Sequence, residues 1–223
     1  MTSPERESLQ QRWLAYQDLP ALRNHWYWRP GWSSNRRFYT WHLTFADQDA
    51  LTELVTTVQQ QLRLPGLDLV PVEGLHLTTQ GVGFTDEVSD EDLAAIVDAV
   101  TRQCAHLQPF DLNLGPVDPD AEGIGLLIQP WAPVTALRTA IRAGIGQVWP
   151  IVPEPENGFR PHVTVAYSGA EVPVDGPVAA LVSLRDLPPA TVQIHAVQLI
   201  ALRRSKRAYV WDTVHTTPLG AST

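Results

Sequence analysis

The chain is short of several things, and each shortage excludes a class of protein. It holds one cysteine, Cys104, in 223 residues. A lone cysteine allows neither an internal disulfide nor a zinc site built on clustered cysteines. No apolar run approaches the roughly 18 residues that a membrane-spanning helix needs. The first seven residues, Met1 to Glu7, are polar and charged, without the apolar stretch of a secretory signal. These absences set the expectation of a soluble protein in a reduced, cytoplasmic compartment. Positive charge is also scarce: 16 Lys+Arg stand against 24 Asp+Glu, a net charge of −8. That balance argues against a general nucleic-acid binder and against a polybasic membrane-surface protein.

What is present is a folded domain with charge segregated along it. At 44% hydrophobic and 18% charged residues, the composition supports a sizeable core. Residues 1–45 carry +3, residues 46–200 carry −14, and residues 201–223 carry +3. An acidic body therefore has two basic ends.

The pattern along the chain alternates helices and strands. Ser3-Pro4 reads as a helix start, with a helix to about Tyr16. Arg23 to Trp32 packs aromatic and basic residues around the breaker Pro30-Gly31 and reads as an ordered arm. Arg37 to Phe45 reads as a strand. Asp47 is placed to cap a helix whose Leu51, Leu54, Val55, Val58 and Leu62 form one apolar stripe. Two strands follow, Leu67 to Val72 and Leu75 to Phe84. Ser89 and Asp92 fit a capping box before a helix with Leu93, Ile96, Val97 and Val100 inside. Phe110 to Val117 and Gly123 to Gln129 read as a strand pair. Pro133 opens a helix, and Pro161 to Tyr167 is a strand. A short helix covers Pro177 to Arg185. Val192 to Arg203 and Ala208 to Val214 form a terminal hairpin with a basic turn. This rhythm predicts an α+β fold with two related lobes. The expected organisation is an arm over residues 1–36, one bilobal domain over 37–219, and a tail over 220–223.

Two of the strands share the pattern His-apolar-Thr, His76-Leu77-Thr78 and His162-Val163-Thr164, 86 positions apart. On a strand, residues i and i+2 share a face. Each strand thus offers an imidazole and a hydroxyl together, with apolar residues behind. Two histidines titrating near neutrality can act as base and acid in an in-line phosphoryl displacement. Two threonine hydroxyls can donate to the oxygens where charge accumulates. Such chemistry needs no metal and no cofactor.

At these residues the sequence resembles the two-histidine (2H) phosphoesterase superfamily, in its 2′-5′ RNA ligase-like branch, over roughly Arg37 to Leu219. The paired His-x-Thr-x motifs carry the likeness, supported by Leu75, Gly81, Gly83, Phe84, Arg160-Pro161 and Tyr209. The resemblance implies two antiparallel sheets facing a central cleft, with helices outside. It implies hydrolysis of a 2′,3′-cyclic phosphate, or a related 2′-5′ phosphodiester reaction including reverse ligation of RNA ends. By that analogy His162 activates water and His76 protonates the leaving oxygen, with Thr78 and Thr164 beside them. The expected partner is a nucleotide or a single-stranded RNA end bearing a cyclic phosphate, with no membrane and no obligate protein partner. The alternative is a non-catalytic nucleotide or RNA-end binding module on the same fold.

The tripeptide also occurs at His42-Leu43-Thr44 and, without the apolar middle residue, at His215-Thr216-Thr217. His42 is a candidate for the same cleft, as the catalytic partner in place of His76, as a substrate contact or as packing. His42, His76 and His162 lack the local spacing of a metal site. His25, His106 and His195 have no motif around them and read as surface or core histidines. Tyr167, Tyr209, Trp211 and Trp28 are candidates for stacking a base, and Arg203 in the basic turn is a candidate phosphate contact. The arm's tryptophans read equally as anchors against the body.

Overall fold

The computed structural model describes residues 3–45 and 48–220, with side chains described from Ser8 onward. The expected caps at Ser3-Pro4 and Asp47 fall outside the described side chains. Helix α1 (Ser3–Gln17) leads through strand β1 (Ala21–Leu22) and the arm to β2 (Phe38–Thr44). Helix α2 (Asp49–Gln61) follows, with Leu51, Val55 and Val58 buried on one stripe. Burying each such side chain contributes about 1.5–3 kcal/mol. Strand β3 is only Leu67–Leu69. The longer strand expected to Val72 stops because Pro71 has no N–H to pair, and Val72–Gly74 forms a 3₁₀ turn instead.

Strand β4 (His76–Phe84) precedes helix α3 (Asp90–Cys104). The Ser89 hydroxyl accepts from the Asp92 N–H at 3.0 Å, capping α3 as its sequence requires. The antiparallel pair β5 (Phe110–Asp120) and β6 (Gly123–Gln129) leads to helix α4 (Trp131–Ile145). Gly144 lets α4 press on α3, since a Cβ there would lie 2.7 Å from the Val100 backbone. The chain ends with β7 (His162–Ser168), β8 (Val172–Pro173), α5 (Asp175–Val182), β9 (Ala190–Ile194), β10 (Ala196–Ser205) and β11 (Ala208–Pro218).

The strands form two main antiparallel sheets, ordered β11-β10-β2-β4 and β3-β7-β6-β5-β9. Helices α3 and α4 cover the four-stranded sheet, whereas α1 and α2 lie on the five-stranded one. The α+β, two-sheet architecture agrees with the sequence pattern. The lobes, however, are not the two halves of the chain. β2 and β4 pair with β10 and β11, so the four-stranded sheet joins the early strands to the last two. The expected strand Val192 to Arg203 is likewise two strands. β9 belongs to one sheet and β10 to the other, with the break at His195. Val192 and Ile194 are buried before that break and Val197 and Leu199 after it, so an alternating apolar pattern runs past His195 and feeds both sheets. No helix among the described residues is long and apolar enough to cross a membrane.

Candidate active site

β4 and β7 approach each other across the two sheets. Each carries its His-x-Thr pair toward a cleft of roughly 430 Å³ lined by His76, Thr78, His162 and Thr164. Leu77, Val163 and Val165 on the opposite faces are buried, as strand alternation demands.

The two imidazoles are held in the same way. His76 Nδ1 lies 2.8 Å from the Gly74 carbonyl, and His162 Nδ1 lies 2.9 Å from the Arg160 carbonyl. A carbonyl only accepts, so each Nδ1 carries the proton and donates. Each Nε2 is then the basic nitrogen, and neither has a protein partner among the described residues. The i−2 anchor explains why Pro71 and the 3₁₀ turn precede β4: they set the Gly74 carbonyl under the ring. Pro161 precedes β7 in the same role of fixing the backbone.

His42 lies against His76 at the cleft. It is 0% exposed, stacks on the His76 ring at 4.6 Å and 2°, and shares a 3.0 Å hydrogen bond between Nε2 and Thr78 Oγ1. His42 is also among the residues lining the cleft, with its ring stacked on His76 and its Nε2 engaged by Thr78. Burial holds His42 well below its usual pKa, with the neighbouring His76 adding to the effect. Burial also pushes His76 down to about 4, opposed by its bond to the Gly74 carbonyl.

The other expected contacts divide. Tyr167 and Tyr209 line the cleft. Arg203 does not line it: alternation along β10 sends Leu202 and Arg204 to the cleft and Arg203 to the opposite face. Trp28 is 53% exposed and lies beside the Arg204 guanidinium at 5.4 Å, outside the cleft lining. Trp211 packs edge-on against His76 at 5.4 Å and His42 at 6.1 Å, so it supports the ring pair without lining the cleft.

Several cleft residues had little signal in the sequence. His25, which had no motif, bridges the two sheets. Its Nε2 is 2.8 Å from the Tyr209 hydroxyl and its Nδ1 is 3.2 Å from Glu122 Oε2, while its ring stacks on Tyr167 at 4.1 Å. Burial first, then Arg29 and Arg204, push His25 down to about 4. The arm is therefore a wall of the cleft as well as an anchor. Trp26 donates its indole N–H to Asp68 at 2.8 Å, and the buried Arg204 donates to the Tyr27 carbonyl at 2.7 Å.

Behind His162, Asp118 is buried between Arg12 (2.9 Å) and Arg160 (2.7 Å). Arg160 also reaches Asp120 at 3.3 Å. Helix α1 is thus tied to the residue whose carbonyl anchors His162. Asp118 and Asp120 stand at i and i+2 on β5, a same-face pair readable in the sequence once that strand is set. Among the described residues, no group of three or more His, Cys, Asp or Glu is arranged to hold a metal ion.

Two facing antiparallel sheets, each presenting one His-x-Thr pair with a matched backbone anchor, define the two-histidine phosphoesterase class. The family model of the 2′-5′ RNA ligase superfamily matches residues 49–206, and the chain belongs to that superfamily. Among solved structures, TT0787 of Thermus thermophilus is similar at 18% identity and TM-score 0.63. The match covers 83% of this chain and 100% of that one. Escherichia coli LigT complexed with 3′-AMP is similar at 15% identity and TM-score 0.62, covering 83% and 99%. LigT complexed with NADP+ is similar at 15% identity and TM-score 0.61, with the same coverage. At these identities the structural likeness shows the fold alone. No curated protein matches the chain in sequence.

Proposed function

We propose that this protein is a metal-independent phosphodiesterase that opens a 2′,3′-cyclic phosphate of a nucleotide or RNA end. What carries this reading is the matched pair of imidazoles, each donating Nδ1–H to its own i−2 carbonyl and aiming a basic Nε2 at one cleft. His162, the more exposed of the two, takes the proton of the attacking water. That water forms the new bond to phosphorus. The bond from phosphorus to the 3′ oxygen breaks, and His76 supplies the proton to that oxygen. The product is the 2′-phosphate. Thr78 and Thr164 donate to the non-bridging oxygens, where such preorganised donors act most strongly. His76 is neutral in the empty cleft and becomes protonated as the phosphate anion enters, since a nearby negative charge favours imidazolium. Joining of RNA ends follows the same course with a 5′ hydroxyl in place of water: His162 takes its proton, the bond from phosphorus to the 3′ oxygen breaks as His76 protonates that oxygen, and a 2′-5′ diester forms; the reverse cleavage exchanges the two roles.

The nucleotides bound to LigT support a nucleotide-sized ligand here. Arg160 and Arg204 at the cleft serve the phosphate, and Tyr167 and Tyr209 flank the sugar. The test is a panel of cyclic mononucleotides and short RNAs ending in a cyclic phosphate, read by phosphorus NMR for wild type and His162→Ala. Conversion to a 2′-phosphate by wild type alone is the expected result. Tight binding without conversion would favour a non-catalytic nucleotide-binding module.

A further inference from the structure

Four carboxylates line the cleft: Asp118, Asp120, Glu122 and Glu154. Three are taken up by guanidinium groups. Asp118 holds Arg12 and Arg160, Asp120 holds Arg160, and Glu122 holds Arg29. No ion pair within 4.0 Å involves Glu154 among the described residues. Its Oε2 accepts from the Gly81 N–H at 3.1 Å, and its Oε1 has no partner there. Glu154 is also exposed, so a ligand can reach it.

Backbone strain and buried polar groups hold it there. Glu154 has φ of 60°, a conformation that costs a non-glycine residue on the order of 1 kcal/mol or more. Its loop is clamped by α4 and β4. Arg138, itself buried, donates to the carbonyls of Pro155 and Glu156 at 2.8 Å each. Arg142 donates to the Pro153 and Glu154 carbonyls at 3.1 and 3.0 Å, and the fully buried Gln80 donates to Pro153 O at 2.7 Å. Beside it, across Gly81, Trp32 and Phe38 line the same cleft with rings 5.7 Å apart, and Phe84 packs on both. Gly31 is required for that wall: its φ is +82°, and a Cβ would lie 2.7 Å from the Phe84 ring.

A fixed carboxylate beside an aromatic wall is a base reader. A carboxylate accepts only, so it pairs with a base that offers donors. Guanine offers two adjacent donors, N1–H and the 2-amino group, in the spacing of a carboxylate's two oxygens. Adenine and cytosine offer one amino group beside an acceptor that a carboxylate repels, and uracil offers a lone N–H between carbonyls. We infer that Glu154 selects the substrate's base and that the preferred base is guanine, stacked on the Trp32–Phe38 wall. This rests on the cleft being a cyclic-phosphate site.

The test compares kcat/KM for the 2′,3′-cyclic phosphates of guanosine, inosine, adenosine, cytidine and uridine. For wild type, guanosine exceeds adenosine, cytidine and uridine by at least about tenfold, and inosine, which lacks the 2-amino group, falls between. In Glu154→Gln the guanosine advantage shrinks to about threefold or less. Equal use of all bases, a preference for another base, or a guanine preference unchanged in Glu154→Gln overturns the inference. If no cyclic nucleotide is converted, the phosphodiesterase reading fails. Calorimetric binding of guanosine 2′-monophosphate against uridine 2′-monophosphate then decides Glu154 separately. At least about tenfold tighter guanosine binding, lost in Glu154→Gln, supports it, and equal binding overturns it.

Discussion

His76 on β4 and His162 on β7 share the His-x-Thr pattern and the i−2 carbonyl anchor on Nδ1, in unlike surroundings. His76 is part-buried, backed by the parallel ring of His42 and edged by Trp211. His162 is exposed, and its support comes from behind, through Arg160, Asp118 and Arg12. One motif is held by rings and the other by ions. A shared local pattern thus fixes the direction of an imidazole, while the neighbours set its exposure and its share of the packing.

Substitution at the two histidines probes this contrast most strongly. His76→Ala and His162→Ala are each expected to lower kcat/KM by about 10²–10⁴, and the double variant to lose little more than the worse single one. Steady-state kinetics on a cyclic phosphate checks this. Thermal melts separate the two: His76→Ala lowers Tm by several degrees because His42 and Trp211 lose a neighbour, whereas His162→Ala leaves it nearly unchanged.

The next largest effect is pH. His25, His42 and His76 all have folded pKa values below the unfolded 6.5, His25 and His76 near 4. Between those values the unfolded chain binds more protons than the folded one. Stability is therefore full above about pH 6.5 and declines as pH falls toward 4. The loss is on the order of 2 kcal/mol each for His25 and His76, and His42 adds to it in the same direction. Urea midpoints at pH 7 and pH 4.5 measure it. A His42→Gln variant should show a shallower decline.

On the ion-supported side, Asp118→Asn is expected to cost about 2 kcal/mol, since it leaves Arg12 and Arg160 without their shared carboxylate. The same change should lower kcat about tenfold by loosening the Arg160 carbonyl under His162. If kcat is unaffected while stability falls, the Arg12–Asp118–Arg160 chain is structural only. The smallest effect belongs to the exposed Arg37–Asp212 pair, where Arg37→Ala should change stability by less than about 0.5 kcal/mol in chemical denaturation.

Much of this architecture is legible in the residues. The α2 stripe, the Ser89 cap and the two His-x-Thr strands follow from local rules of spacing and capping. The sequence alternation also put Thr78 with His76 and Thr164 with His162. Errors arose where a local rule had a non-local competitor. Pro71 shortened β3, and an apolar stretch through His195 was divided between two sheets. Arg203 and Arg204 are neighbours in a basic run, and only the register of β10 says which one faces the cleft.

His25, Asp118 and Glu154 teach the same lesson for the site. None has a motif, because their partners lie 97, 106 and 73 positions away in the sequence. Periodicity and turn chemistry act over a few residues, and they were enough to determine most of the elements and to set the two His-x-Thr pairs on strands. Which carboxylates are neutralised, which histidine is buried, and how the arm closes the cleft depend on the packing of distant segments. Burial and pairing are properties of the assembled sheets, so tertiary structure alone decided them.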